Sequence, residues 1–221
     1  MNLELTGVQV AIGGRRLIGP LDLRIEGGEV VTIMGPSGSG KSTLLAFVSG
    51  TLDPAFEARG RVLIDGTDIT GTRPERRRIG ILFQDDLLFP HLSVGENLAF
   101  GLSGRVRGRR NRRRAVDDAL AEAGLAGFHD RDPATLSGGQ RARATLLRTL
   151  LAEPCALLLD EPFGKLDAPL RSDVRRFVFE HAAERDLPVL LVTHDPSDAA
   201  AAGGRVLTLA PAMLHPVPQA N

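Results

Sequence analysis

The stretch Gly35-Pro36-Ser37-Gly38-Ser39-Gly40-Lys41-Ser42-Thr43 constrains the fold of this chain more than any other. It follows the apolar run Val30 to Met34, which reads as a strand, and leads into a helix expected from about Lys41 to Ser49. The spacing fits G-x-x-x-x-G-K-[ST], and the strand–loop–helix context is the one this pattern requires. Glycines let backbone N–H groups close around phosphate oxygens with no side chain in the way. The helix adds its positive N-terminal end. Lys41 is expected to neutralise the β- and γ-phosphates, and Ser42 to offer its hydroxyl to Mg²⁺. The loop therefore predicts a nucleoside triphosphate ligand.

A second apolar run, Ala156 to Leu159, ends in Asp160 and Glu161. Ligands of open α/β sheets gather at the carboxyl ends of strands. Adjacent side chains of an extended chain point opposite ways, so the two carboxylates are expected to have different tasks. Asp160 suits the Mg²⁺ shell. Glu161 suits polarising the attacking water, as a general base or as its orienter. Pro162 and Phe163 imply a fixed turn behind them. Between the two motifs stands Leu136-Ser137-Gly138-Gly139-Gln140, which taken alone is a serine-capped helix entry.

Together these three motifs resemble the ATP-binding subunits of ABC transporters, and the resemblance covers nearly the whole chain. It implies that Ser137, Gly138, Gly139 and Gln140 of one subunit close over ATP held in the loop of another. A head-to-tail homodimer sharing two ATP and Mg²⁺ follows. The resemblance also assigns Gln84 to Mg²⁺, the attacking water and coupling to a membrane partner, and Asp167 to communication across the dimer. It makes His194 a switch that contacts the γ-phosphate. The partners it implies are integral-membrane permease subunits and, indirectly, a substrate-binding protein, with the ATPase peripheral on the cytoplasmic face of the membrane. Arg76 to Gln84 and Leu88 to Asn97 look like importer subunits of the iron, polyamine and thiamine group. An exporter or lipoprotein-release ATPase shares the same chemistry. A soluble ABC ATPase usually carries two cassettes or a coiled-coil insertion, and a P-loop kinase would not need LSGGQ.

The fold expected is α/β: a P-loop NTPase core of the RecA-like kind, an antiparallel β layer, and an inserted helical subdomain at about 85–135. Leu3 to Val10, Leu17 to Ile25 and Arg61 to Ile64 supply the antiparallel strands. Val30 to Met34, Ile79 to Phe83, Ala156 to Leu159, Val189 to Thr193 and Arg205 to Leu209 supply a largely parallel sheet. Helices are expected at Ala115 to Ala123, from Ser137 to about Leu151, and at Pro169 to Arg185. The tail from Pro211 to Asn221 is expected to be loosely held.

The net charge is zero, with 27 basic and 27 acidic residues, which gives no support to a nucleic-acid partner. The arginine run from Arg105 to Arg114 has no interleaved aromatics and reads as a solvated approach to a helix. No stretch nears the ~20 apolar residues of a membrane span, and no leader is visible at the N-terminus. Cys155 is expected to be a small buried hydrophobe. His91, His129, His181 and His215 are expected on the surface or in packing roles. Leu87 to Leu92 is expected to be mainly core, with part of it lining a permease groove.

Two departures from the family pattern matter. There is no Tyr or Trp, and Val10 to Arg15 offers no aromatic residue to stack on adenine. Ile12, or the guanidinium planes of Arg15 or Arg16, are the candidates there, and GTP is expected to bind nearly as well as ATP. The usual Ser-Ala before Leu166-Asp167 is replaced by Gly164-Lys165.

Overall fold

Strands whose side chains alternate between two separate cores must lie in a sheet covered on both faces, and the central strands here do so. In β7 (Ala156–Asp160), Leu157 and Leu159 belong to one core while Ala156 and Leu158 belong to the other. In β8 (Val189–Thr193), Val189 and Leu191 divide from Leu190 and Val192 in the same way. Leu157, Leu158 and Leu159 are fully buried, each contributing roughly 1.5–3 kcal/mol. The computed structural model describes residues 1–85 and 87–209. The expected loose tail at 211–221, with His215, lies outside the described residues.

The parallel sheet has the order β6 (Ile79–Leu82), β7, β8, β3 (Val30–Met34), β9 (Arg205–Thr208). A second, antiparallel sheet has the order β2 (Arg15–Glu26), β1 (Asn2–Ile12), β4 (Phe56–Ile64), β5 (Thr67–Asp68). Helix α1 (Lys41–Ser49) contributes Leu44, Leu45, Phe47 and Val48 to the core between the two sheets. The opposite face is covered by α3 (Val94–Gly101), α4 (Arg109–Glu122), α5 (Gly138–Leu150) and α6 (Ala168–Glu184). Helices α3 and α4 stand between β6 and β7, where the sequence suggested an insertion.

The short helix α2 (Pro74–Arg77) carries a buried arginine. Arg77 donates to the carbonyls of Phe47 and Val48 at 3.0 and 2.8 Å, to Thr72 O at 2.8 Å, and to Thr70 O. Its charge thus lies against the negative C-terminal end of α1. A Cβ on Gly50 would approach this guanidinium to 2.6 Å.

Several expectations need correction. Most of the arginine run forms the first turns of α4 rather than preceding it. Val116, Ala119 and Leu120 supply a buried stripe, and i,i+4 pairs from Arg113 to Asp117 and Arg114 to Asp118 offset the basic start. Arg112 also donates to Ala99 O at 2.6 Å. Cys155 is half-buried rather than core, because it precedes β7 and donates its amide to Arg78 O at 2.7 Å. Helix α7 (Pro196–Ala202) was not foreseen; Asp195 starts it by accepting from the Ser197 amide at 2.8 Å. His129 lies 2.6 Å from an Asp117 oxygen and His181 2.9 Å from Phe177 O, which are structural roles.

Candidate active site

Four strands of the parallel sheet end at one rim. β3 runs into the loop Gly35 to Gly40, β6 ends two residues before Gln84, β7 ends at Asp160, and β8 is followed by His194. Gly40 caps α1 with φ of 93°, a left-handed conformation, and no side chain occupies the helix start. A cleft of about 500 Å³ lies there, lined by Ser37, Gly38, Gly40, Lys41, Ser42, Thr43, Gln84, Asp160 and Glu161. Ile12, Leu17 and Phe56 complete its lining.

Lys41 is almost fully buried and donates to the carbonyls of Gly35 and Pro36 at 2.8 and 3.0 Å. Its ammonium lies 3.9 Å from Glu161 Oε1. Ser42 Oγ donates to Asp160 Oδ1 at 3.0 Å. Burial pushes the Asp160 carboxyl above its ordinary range; the Ser42 bond opposes the shift, and the neighbouring Glu161 adds to it. Ser39 Oγ is buried with no hydrogen-bond partner, in a loop whose amides suit a polyanion.

Glu161 leaves the strand with φ of 47°. The direction of the Glu161 side chain is therefore set by a left-handed residue at the turn, not by strand alternation as the sequence suggested. Its amide is held by Val192 O at 2.9 Å, and Gly164 N returns to Glu161 O at 3.2 Å. Glu161 Oε2 lies 3.1 Å from Nδ1 of His194, whose side chain is 59% exposed. Behind His194, buried Thr193 donates to buried Asp198 at 2.8 Å, and Asp198 pairs with Arg175.

The LSGGQ segment lies elsewhere. Ser137 Oγ accepts from the Gln140 amide at 3.3 Å, and Gln140 Oε1 accepts from the Ser137 amide at 3.0 Å, a closed capping box. None of Ser137, Gly138, Gly139 and Gln140 lines the loop cleft of its own chain. Gly138 and Gln84 both line a second cavity of about 430 Å³ with Lys165 and Leu166. Asp167 is exposed at the start of α6 and its side chain caps nothing. Gly164 lets the Gln84 amide approach, since a Cβ there would lie 3.1 Å from Nε2. The adjacent Lys165 pairs with Asp85.

The family model described as ABC transporter matches residues 18–164. The chain belongs to the ABC transporter family. An uncharacterized ABC transporter ATP-binding protein, YnjD, of Escherichia coli K12 is 47% identical over 199 residues, covering 90% of this chain and 91% of its own length. The sulfate/thiosulfate import ATP-binding protein CysA of Methylococcus capsulatus is 40% identical over 225 residues; the alignment takes in 100% of this chain and 64% of that relative. The solved structure of cbiO1 from Clostridium perfringens, part of the ABC transporter complex cbiONQ, has a TM-score of 0.81 at 30% identity. It covers 94% of this chain and 84% of that one. As an ATP-binding member of the family, the protein is an ATPase.

Two residues of this ABC cleft escaped the sequence reading, Leu17 and Phe56. Phe56 reaches it by pairing with Ile12 across β1 and β4, a long-range contact with no local signal. Arg15 and Arg16 are exposed and are not among the described residues lining the cleft.

Proposed function

We propose that the protein is the ATP-hydrolysing subunit of an ABC importer, and that its reaction is completed only in a dimer of two such chains. Lys41 binds the β- and γ-phosphates once it leaves the carbonyls it now occupies. Ser42 and Asp160 supply hard oxygen donors 3.0 Å apart, a set that fits Mg²⁺ with phosphate oxygens and water completing its shell. Among the described residues there is no separate cluster of three His, Cys, Asp or Glu to compete for it. Bound there, Mg²⁺ would neutralise charge on the phosphates.

Glu161 accepts a proton from water as the water oxygen bonds to the γ-phosphorus. The bond from the γ-phosphorus to the β–γ bridging oxygen breaks, and ADP leaves with that electron pair. His194 orients Glu161 through the 3.1 Å contact. Gln84, beside both cavities, positions the water. Ser137 and the amides of Gly138 and Gly139 from a second chain bind the γ-phosphate opposite Lys41, with Asp167 at the dimer boundary.

The single observation that carries this reading is that Ser137 to Gln140 lie outside a cleft already furnished with Lys41, Asp160 and Glu161. Such a motif needs another chain to serve. The permease docks on the apolar surface after Gln84. Leu87 is 56% and Phe100 70% exposed, and Phe89 stacks edge-on to Phe100 at 4.9 Å. Buried Asn97 holds that loop, donating to the carbonyls of Phe89, Leu92 and Ser93. No helix among the described residues is long and apolar enough to cross a membrane; attachment to the cytoplasmic face runs through the permease, with a substrate-binding protein beyond it. The importer assignment is supported by the import function in the name of the CysA relative.

Glu161→Gln tests the reading. ATP binding should persist, turnover should fall at least about a hundredfold, and MgATP should convert the chain to a dimer in sedimentation. A strictly monomeric variant with MgATP would overturn the shared site.

A further inference from the structure

The lining of the cleft is of two chemical kinds. One part is polar or charged, from Lys41 and Ser42 to Asp160, Glu161 and Gln84. The other is apolar: Ile12 at the end of β1, Phe56 at the start of β4, and Leu17 on β2, whose Cβ lies 3.4 Å from where a Cβ on Gly40 would stand. Ile12 and Phe56 are direct partners in the strand register. Phe56 is placed by the turn before it, where Asp53 O accepts from the Phe56 amide at 3.0 Å and Asp53 Oδ1 from the Ala55 amide at 2.8 Å. Phe56 and Leu17 pack inward against the core between the sheets, so the ring is supported from behind. Ile12 is 37% exposed. An apolar face of this kind beside a phosphate cradle suits a flat heteroaromatic group tethered to the phosphates.

We propose that Phe56 is the residue on which the nucleotide base stacks, with Ile12 and Leu17 flanking it, and that the base is recognised by its faces alone. The inference rests on reading Gly35 to Thr43 as the triphosphate cradle. Stacking on an aromatic ring is tolerant of base identity, because every base has a π-face. Discrimination between adenine and guanine needs donors and acceptors on the base edge, since strong rejection comes from polar groups left unpaired. The apolar side chains of the lining, Ile12, Leu17 and Phe56, offer none. Phe56 therefore sets affinity for the nucleoside part and leaves the choice between ATP and GTP open.

The test exploits a chain with no tryptophan and no tyrosine. Binding of ATP, GTP and inorganic tripolyphosphate is measured by calorimetry without divalent cation, so that nothing turns over. Phe56→Ala should weaken ATP and GTP about tenfold each and leave tripolyphosphate unchanged. Equal weakening of all three would make Phe56 a packing residue and overturn the proposal. Phe56→Trp should keep binding, and its indole emission should be quenched by ATP and GTP but not by tripolyphosphate. Emission unchanged by ATP, while calorimetry records ATP binding, would overturn stacking even if the alanine variant does not fold. ATP bound more than about tenfold tighter than GTP by the unsubstituted chain would overturn recognition by faces alone. If that chain binds tripolyphosphate but neither nucleotide, the base subsite fails and the cradle stands; no binding of any of the three overturns the cradle.

Discussion

The two helices that begin in glycine-rich segments are finished in opposite ways. At the start of α1, Gly40 is left-handed and no side chain caps the exposed amides. At the start of α5, Ser137 and Gln140 bond reciprocally and fill that position. A helix N-terminus attracts anions in either case, yet only one is free in the single chain. Readiness is therefore a matter of capping rather than of glycine content. The first N-terminus is open to an anion as it stands. An anion at the second would have to displace the serine oxygen from the Gln140 amide, which suits the inter-chain contact proposed above.

The largest expected effect on this comparison comes from Lys41→Ala, which should weaken ATP binding by the single chain about a hundredfold. Calorimetry checks this. Gly139→Ala comes next. A Cβ there would meet Leu170 Cδ1 at 2.3 Å, whereas at Gly138 the nearest contact, Leu166, is at 3.4 Å. Overpacking at Gly139 should lower unfolding free energy by about 2 kcal/mol, with Gly138→Ala much milder in the same denaturant titration. Ser137→Ala should cost about 1 kcal/mol of stability, leave ATP affinity of the single chain unchanged and abolish the ATP-driven dimer. A fall in single-chain affinity would mean that α5 reaches its own cleft, and the contrast would break.

The smallest effect on stability is expected from Asp160→Asn. The folded chain holds the Asp160 proton more tightly than the unfolded one does, so this group's contribution weakens as pH rises from the ordinary carboxylate range through its raised value. The variant should flatten that decline and slightly raise the melting temperature of the nucleotide-free chain near neutrality, while losing turnover.

What the sequence disclosed follows from how local each signal is. β3 and β8 fall where their apolar runs predict, α1 begins at Lys41, and Ser137 caps α5, because burial periodicity and capping chemistry are written within a few neighbours. Helix α4 was cut short because its first turns are arginines, whose stabilising partners Asp117, Asp118 and Asp130 become visible only in three dimensions. Glu161 is the case of a correct residue with an incorrect backbone, since nothing before the turn signals a left-handed glutamate. Phe56 was missed for a different reason. Its place beside the cleft is decided by strand register between segments more than forty residues apart in sequence.

Arg77 gives helix α1 a mechanical character. The helix is about 14 Å long, carries Lys41 at one end and is gripped at the other by the guanidinium on the Phe47 and Val48 carbonyls. Gly50 leaves no slack at that joint. Two residues beyond Arg77 begins β6, the strand that delivers Gln84. The helix is a strut braced between the glycine loop and the root of that strand. Arg77 thus ties the far end of α1 to the root of β6, so one side chain anchors both elements that bring Lys41 and Gln84 to the cleft.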